Sequence, residues 1–379
     1  MVRNRFRLFS LLVIALLSFS GSLKATKYEN SKISLITCTA GSELYSTFGH
    51  SALRVKDDSL AMDIVFNFGL FDFNTPNFYL KFIQGKLNYM LGIQNTADFL
   101  WQYSYEGRGV YEQELDLSPL QKSELIEKLT FLYKPENRYY LYSFLFKNCT
   151  TELRDLLNPY IAFPEGLESE NFRDLINSYV KETKWTRAGI NLILGSNLDR
   201  EISLWEGMFL PDKLFDGLKS ITKENKLLTK NDEIQPKNTP FLLSPIFFSI
   251  LILSLLLLSR FFKSLRFIQF AALLFYALLG ITLLGIIILT DHIELHSNYN
   301  LLWCNPLYAL LLGLIPFSTK VARFLRLLII LLMAFSLSSL VIWLNGIQGF
   351  LPEYIIIVAS QIVMLGGLRA IVNDKILQQ

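Results

Sequence analysis

The sequence predicts an α+β exported domain, an antiparallel sheet with helices, followed by an all-α membrane domain of about five transmembrane helices. Three observations carry that prediction: apolar residues concentrate after Pro240, short strand-like and helix-like segments alternate before it, and basic residues occupy alternate loops of the apolar half. Of the 379 residues 51% are hydrophobic and 18% charged. With a mean hydropathy of +0.34, the chain is too apolar for an ordinary water-soluble protein of this length. The net charge is only +3 and no basic run is interleaved with aromatics, which sets nucleic acid aside as a partner.

Residues 1–25 have a basic start (Arg3, Arg5, Arg7), an apolar stretch from Leu8 to Phe19 and small residues near Ala25, the pattern of a signal peptide or signal anchor. Residues 26–239 are polar and rich in aromatics, and long enough to bury a core. Within them 33–37, 51–55, 63–71, 87–93 and 109–117 read as strands, each rich in β-branched or aromatic residues and bounded by Gly, Asn or Asp. Helical signals fall between: a segment after Pro76, one from Thr96 with Thr96 as its cap, and one from Ser118 with Pro119 at the first helical position. Residues 165–239 read as mostly helical, ending in a polar linker, 222–238. Residues 240–379 carry apolar spans at about 241–259, 267–289, 301–317, 325–344 and 354–368, the third and fifth short for a simple crossing.

The loops after the first and third spans carry Arg260, Lys263 and Arg266, and Lys320, Arg323 and Arg326, whereas 290–300 and 345–353 carry no Lys or Arg. The positive-inside rule makes the basic loops cytoplasmic and sends 26–239 to the opposite side, as the basic start of the signal also does.

The chain has three cysteines, Cys38, Cys149 and Cys304, and three histidines, of which only His50 precedes residue 292. That is too few cysteines for a disulfide framework, although one Cys38–Cys149 bridge is an open alternative, with Cys304 then a lipid-facing residue. No cluster has zinc-ligand spacing, so neither a metal nor another cofactor is expected. His50 opens a predicted strand. Cys149 follows Asn148, a good N-cap, and "CTTELRDLL" places Leu153, Leu156 and Leu157 on one helical face. A cysteine in a first helical turn faces free backbone N–H groups and the positive end of the dipole, which favours its thiolate. With His50 beside it, the pair is the minimum for thiol-based acyl transfer, and the Cys149 N–H is a natural oxyanion donor.

The segments "LITCTAGSELYSTFGHSALRV", "FNFGLFDFNTPNFYLKFIQGKLNYML", "YEGRGVYEQELDLS", "PENRYYLYSFLFKNCTTELRD" and "MFLPDKL" together resemble the exported domain of the Lnb-type bacterial lipoprotein N-acyltransferase family. That domain is similar to circularly permuted NlpC/P60 and papain-like thiol enzymes, in which the histidine strand precedes the cysteine helix. The resemblance implies Cys149 as nucleophile and His50 as general base. Such enzymes orient the imidazole with a third polar group, for which Asn67 is the first choice and Asp72 the second. Tyr45 and Ser46 are candidates to donate to an oxyanion or a lipid phosphate, or else are a packed aromatic and a turn serine. Arg54 shares the His50 face of its strand by alternation and is either a phosphate ligand or a solvated arginine. Asn148, His292 and Asn300 complete the candidate substrate contacts. The last two lie in "TDHIELHSNYNLLWCNPL", which on the exported face would roof a lipid entry; its two histidines read as loop residues, not a metal pair.

The implied reaction moves a fatty acyl chain from phospholipid, through a Cys149 thioester, to the N-terminal amino group of a diacylated lipoprotein at the bacterial inner membrane, with the catalytic domain in the periplasm. A membrane-tethered cysteine peptidase or amidase of the NlpC/P60 type is the alternative. A non-catalytic sensor with a Cys38–Cys149 bridge is a further one.

Overall fold

A computed structural model describes residues 28–231, 239–318 and 320–377; the expected signal segment and part of the expected linker lie outside them. The N-terminal half is built on one seven-stranded sheet in the order β6-β4-β3-β2-β1-β5-β7, with every neighbouring pair antiparallel. Its strands are β1 (Lys32–Cys38), β2 (His50–Asp57), β3 (Met62–Leu70), β4 (Asn88–Asn95), β5 (Val110–Glu114), β6 (Tyr139–Leu141) and β7 (Lys223–Leu228). The first five match the predicted strands. Two edge strands escaped prediction because neither carries a strand pattern: β6 has three residues, and β7, "KENKLL", lies within the stretch read as linker. An exposed edge tolerates such charge and even uses it to block further pairing.

Helices cover both sheet faces. Ile33, Leu35, Leu53, Val55, Phe66, Phe68 and Leu91 pack on one side against Leu125 and Leu129 of a helix Pro119–Tyr133 and Leu153 and Leu157 of the helix Cys149–Leu157. The other side sets Ile36, Cys38, Ala52, Val65 and Val110 against Phe99 and Tyr103 of a helix Thr96–Tyr105. Ser118 caps its helix as predicted, in a reciprocal box with Gln121. Thr96 does not: Asn95 holds the cap position without a side-chain bond, and the Thr96 hydroxyl donates to Asp63.

The membrane half contains helices Pro245–Phe261, Phe267–Leu289, Ala322–Leu344 and Pro352–Leu377, and a third crossing, Asn300–Phe317, assembled from short pieces around Pro306 and Pro316. Four of the five segments are long and apolar enough to span; the first, of 17 residues, is shorter. The fifth helix runs well beyond the stretch expected from hydropathy. Polar side chains inside the bundle bind one another, Tyr276 to Ser360, Tyr308 to Ser336 and Ser336 to Gln361, which removes the cost of bare polar groups in lipid. Cys304 is buried with Trp303, Leu283 and Tyr354 instead of facing lipid.

The two halves meet through the two loops that lack basic residues. Asn298 and Asn300 donate to the Asn191, Leu192 and Ile193 carbonyls, and the Gly195 N–H donates to the Glu294 carbonyl. The Gly349 N–H donates to Asp199, itself held by Arg173. The sheet domain therefore docks on the face of the bundle opposite Lys263, Arg266, Lys320 and Arg323, as the charge pattern requires.

Candidate active site

Cys149 begins its helix because Asn148 ends the preceding loop in an extended conformation and accepts from the Thr150 and Thr151 N–H groups at 2.8 and 2.9 Å. The Thr151 hydroxyl accepts from the Asn148 N–H at 2.8 Å, closing a capping box. The Asn148 amide also donates to the Phe144 and Phe209 carbonyls at 2.7 and 3.0 Å. Every polar group of this buried side chain is thus used by the fold, so Asn148 holds Cys149 in place and has nothing left for substrate.

The thiol projects from this first turn toward the ends of β2 and β3. Gly69, in β3 with φ +89°, faces it; a Cβ there would stand 3.4 Å from the Cys149 Cβ, and only glycine takes that backbone angle freely. β3 shifts register between Asn67 and Leu70, the kind of irregularity that re-aims side chains beside sites. Gly49, at φ +81°, turns the chain into β2, so that His50 is the first residue of its strand.

His50 stands close enough to Cys149 for each to shift the ionisation of the other, and it binds the Asn67 Oδ1 through its Nε2 at 2.6 Å. The Asn67 amide nitrogen donates to Gln94 at 3.3 Å, which fixes Oδ1 as the atom offered to the ring. Since Oδ1 only accepts, Nε2 carries the proton and Nδ1 is left for the thiol. Of the two candidates for the orienting group, Asn67 occupies the position.

The electrostatics match that geometry. Burial opposes the Cys149 thiolate, but the charge and hydrogen bond of His50, the Ser51 N–H and the Thr150 hydroxyl outweigh it and bring the thiol down from 9.0 to about 7. Burial works against the His50 cation as well, yet the neighbouring thiolate and the Asn67 bond raise its pKa above 6.5. The two shifts run in opposite directions, as in a thiolate–imidazolium pair. Cys149 is only partly buried, so a substrate can reach it. All three cysteines are free thiols, which removes the Cys38–Cys149 bridge.

The other candidates stand apart. Arg54 binds Asp63 with two parallel contacts of 2.8 and 2.7 Å and Glu112 with a third of 3.0 Å, so its charge is matched by two carboxylates within the sheet instead of being offered to a phosphate. Ser46 is buried and bonded to the Glu43 carbonyl as a turn serine, whereas Tyr45 is largely exposed. Asn300 is fully engaged, donating to two carbonyls and accepting from Trp303. His292 lies in a loop, bonded to the Phe82 carbonyl at 3.0 Å; no three potential metal ligands cluster among the described residues.

Sequence reasoning missed Gln94, Ser51 and Thr150, ordinary polar residues that become informative only when the fold sets them around Asn67 and the thiol. It also missed Glu294. This buried carboxylate from the loop after the second membrane helix accepts from the Ser143 hydroxyl at 2.6 Å and the Leu145 N–H at 3.3 Å. The membrane half thereby braces the loop that leads into Cys149.

Comparison with known families yields two matches in chain order. Residues 20–181 match the model of the Lnb N-terminal periplasmic domain, and residues 231–375 that of the Lnb transmembrane domain. The chain belongs to the Lnb-type family. This Lnb-type protein is thus a membrane protein with a periplasmic N-terminal domain and a multi-span C-terminal domain, and its membership suggests an enzyme. No curated protein and no solved structure matches it.

Proposed function

We propose that this protein is a lipoprotein N-acyltransferase of the bacterial inner membrane. The observation that carries the reading is the partly accessible, acidified Cys149, paired with His50 and Asn67 in a domain fastened to a membrane bundle by its loops. A hydrolase of soluble peptides has no use for that attachment, whereas an enzyme drawing on phospholipid needs its thiol near the bilayer.

In the first half-reaction the Cys149 thiolate attacks the carbonyl carbon of a phospholipid ester. The Cys149 N–H receives the developing oxyanion, because Asn148 occupies the N–H groups of Thr150 and Thr151. The C–O bond breaks, the lysophospholipid oxygen takes the His50 proton, and a thioester remains. In the second, His50 removes a proton from the N-terminal amine of a diacylated lipoprotein as the nitrogen attacks the thioester. The C–S bond breaks, the amide forms and the thiolate returns. Asn67 keeps the imidazole in the required tautomer throughout, and excluding water favours transfer over hydrolysis.

The test is the N-terminal lipid structure of a native lipoprotein from cells with and without the protein. Three acyl chains should be found with it and two without. An unchanged lipoprotein, together with altered wall peptides, would replace the transferase with the tethered peptidase or amidase.

A further inference from the structure

The short helix α1 (Phe78–Ile83) has no buried residue, although five of its six residues are large and apolar. Tyr79, Phe82 and Ile83 share one face by helical spacing, with Leu80 beside them, and Tyr79 and Leu80 are 75% and 50% exposed. Phe73, on the preceding turn, is 60% exposed. A contiguous outward apolar face is the reverse of a water-facing helix and marks an interaction surface.

Its position says what covers it. Three carbonyls at the end of α1 are bound by the residues that follow the span Phe267–Leu289: Phe82 by the His292 ring at 3.0 Å, Ile83 by the Thr290 hydroxyl at 2.7 Å and Gln84 by the Asp291 N–H at 3.0 Å. Ile288 and Leu289, the last turn of that span, are themselves exposed, on a helix apolar enough to cross a membrane. The apolar face of α1 thus continues the lipid-facing surface of the bundle at the level where the span ends. Lys81 and Lys86 flank it, as expected at a headgroup layer.

The same segment leads to the thiol. It follows β3, whose Gly69 faces Cys149, and stacked or tilted rings continue inward from it. Phe78 lies 5.7 Å from Phe71, Phe71 lies 5.1 Å from Tyr89, and Tyr89 stacks at 4.3 Å on Tyr142, which opens the segment running from β6 to Cys149.

We propose that Phe71–Ile83 is an interfacial platform, lying in the periplasmic leaflet, that takes a phospholipid acyl chain along the Phe71, Tyr89 and Tyr142 rings toward Cys149. The proposal rests on the phospholipid-donor reading and names the route by which that donor arrives.

The test uses the full chain in phosphatidylethanolamine–phosphatidylglycerol vesicles containing a phospholipid with a diazirine in its acyl chain. After illumination, mass spectrometry should find lipid adducts within 71–83 as well as on Ile288 and Leu289. Adducts on Ile288 and Leu289 with none in 71–83 would overturn the platform. In a Tyr79→Glu/Leu80→Glu variant, acylation of Cys149 from vesicle lipid should fall at least tenfold while a water-soluble alkylating reagent still labels Cys149 at the wild-type rate. An undiminished acylation rate counts against the platform alone. If that variant misfolds, the crosslinks on the unaltered chain decide by themselves. Adducts in 71–83 with no acyl group ever found on Cys149 would uphold the lipid-embedded surface and reject the transferase reading.

Discussion

Cys38 and Cys149 both lie beside His50, yet their thiols are shifted in opposite directions. Cys38 ends β1 directly opposite His50 in the sheet register, yet it is buried among Ile36, Ala52 and Tyr103, and burial pushes its thiol up to about 12. Cys149 comes from another layer of the fold and is brought down to about 7. Nearness to the histidine is therefore not what makes a thiolate. Cys149 begins a helix, receives the Ser51 N–H and faces the free nitrogen of the ring, whereas Cys38 sits in a strand whose backbone groups are already paired. Accessible, helix-capped cysteines ionise; sheet-core cysteines behave as small hydrophobic residues.

The sharpest way to break this contrast is substitution of each sulfur. Cys149→Ser should abolish acyl transfer, because a hydroxyl is not ionised by the forces that bring a thiol to about 7. Cys38→Ser should keep most of it. Comparable losses in both, measured with purified protein in phospholipid micelles, would mean the two sites are not distinct.

Next in size is the base. His50→Ala should slow formation of the acyl-enzyme by roughly 10²–10⁴. It should also move the pH midpoint for alkylation of Cys149 upward. The thiolate is populated above about pH 7 in the native pair; without the imidazolium, burial is opposed only by the Ser51 N–H and the Thr150 hydroxyl, and the midpoint should rise toward the ordinary thiol value. A midpoint that stays near 7 would show that the helix, not His50, acidifies the thiol.

Asn67→Ala should act through the ring. Losing a hydrogen bond to a charged group is worth about 1.5–3 kcal/mol, or on the order of 10- to 100-fold in rate. It should lower the rate of acylation more than the amount of lipid needed for half-maximal rate. Asn67→Gln, which retains the carbonyl, should recover part of the loss if the residue orients the imidazole, and none if it only closes the strand.

The smallest effect concerns the cap. Asn148→Ala should cost about 0.5–2 kcal/mol of stability, at the upper end because the Phe144 and Phe209 carbonyls lose a donor too. Thermal unfolding of the detergent-solubilised protein would read it, and Asn148→Asp should restore the cap bonds though not those donors.

Much of this arrangement is visible in the sequence, for local reasons. Five strands, the Ser118 and Asn148 caps and the apolar spans are set by periodicity and capping chemistry, which act within a few residues. The thiol and imidazole were legible because histidine and cysteine are scarce in this chain and Cys149 follows a good cap. What could not be read depends on pairing across long separations. The Arg54 side chain lies on the predicted face, but Asp63 of the adjacent strand β3 and Glu112 of β5, beyond β1, claim it. Glu294 reaches Ser143 across 151 residues, and nothing local distinguishes it from any loop glutamate. β7 forms because β5 offers an edge, although its own composition is that of a linker.

The central claim is that Cys149 carries the acyl group, and intact-mass spectrometry of the purified full chain in phospholipid micelles tests it most directly. Without an acceptor, a fatty-acyl adduct should accumulate on Cys149. Neutral hydroxylamine should release it, and so should a diacylated lipopeptide with a free amino terminus, but not one whose amine is blocked. Absence of any adduct on Cys149 across a panel of donor phospholipids, with cleavage of a peptide substrate by the same preparation, would contradict the account.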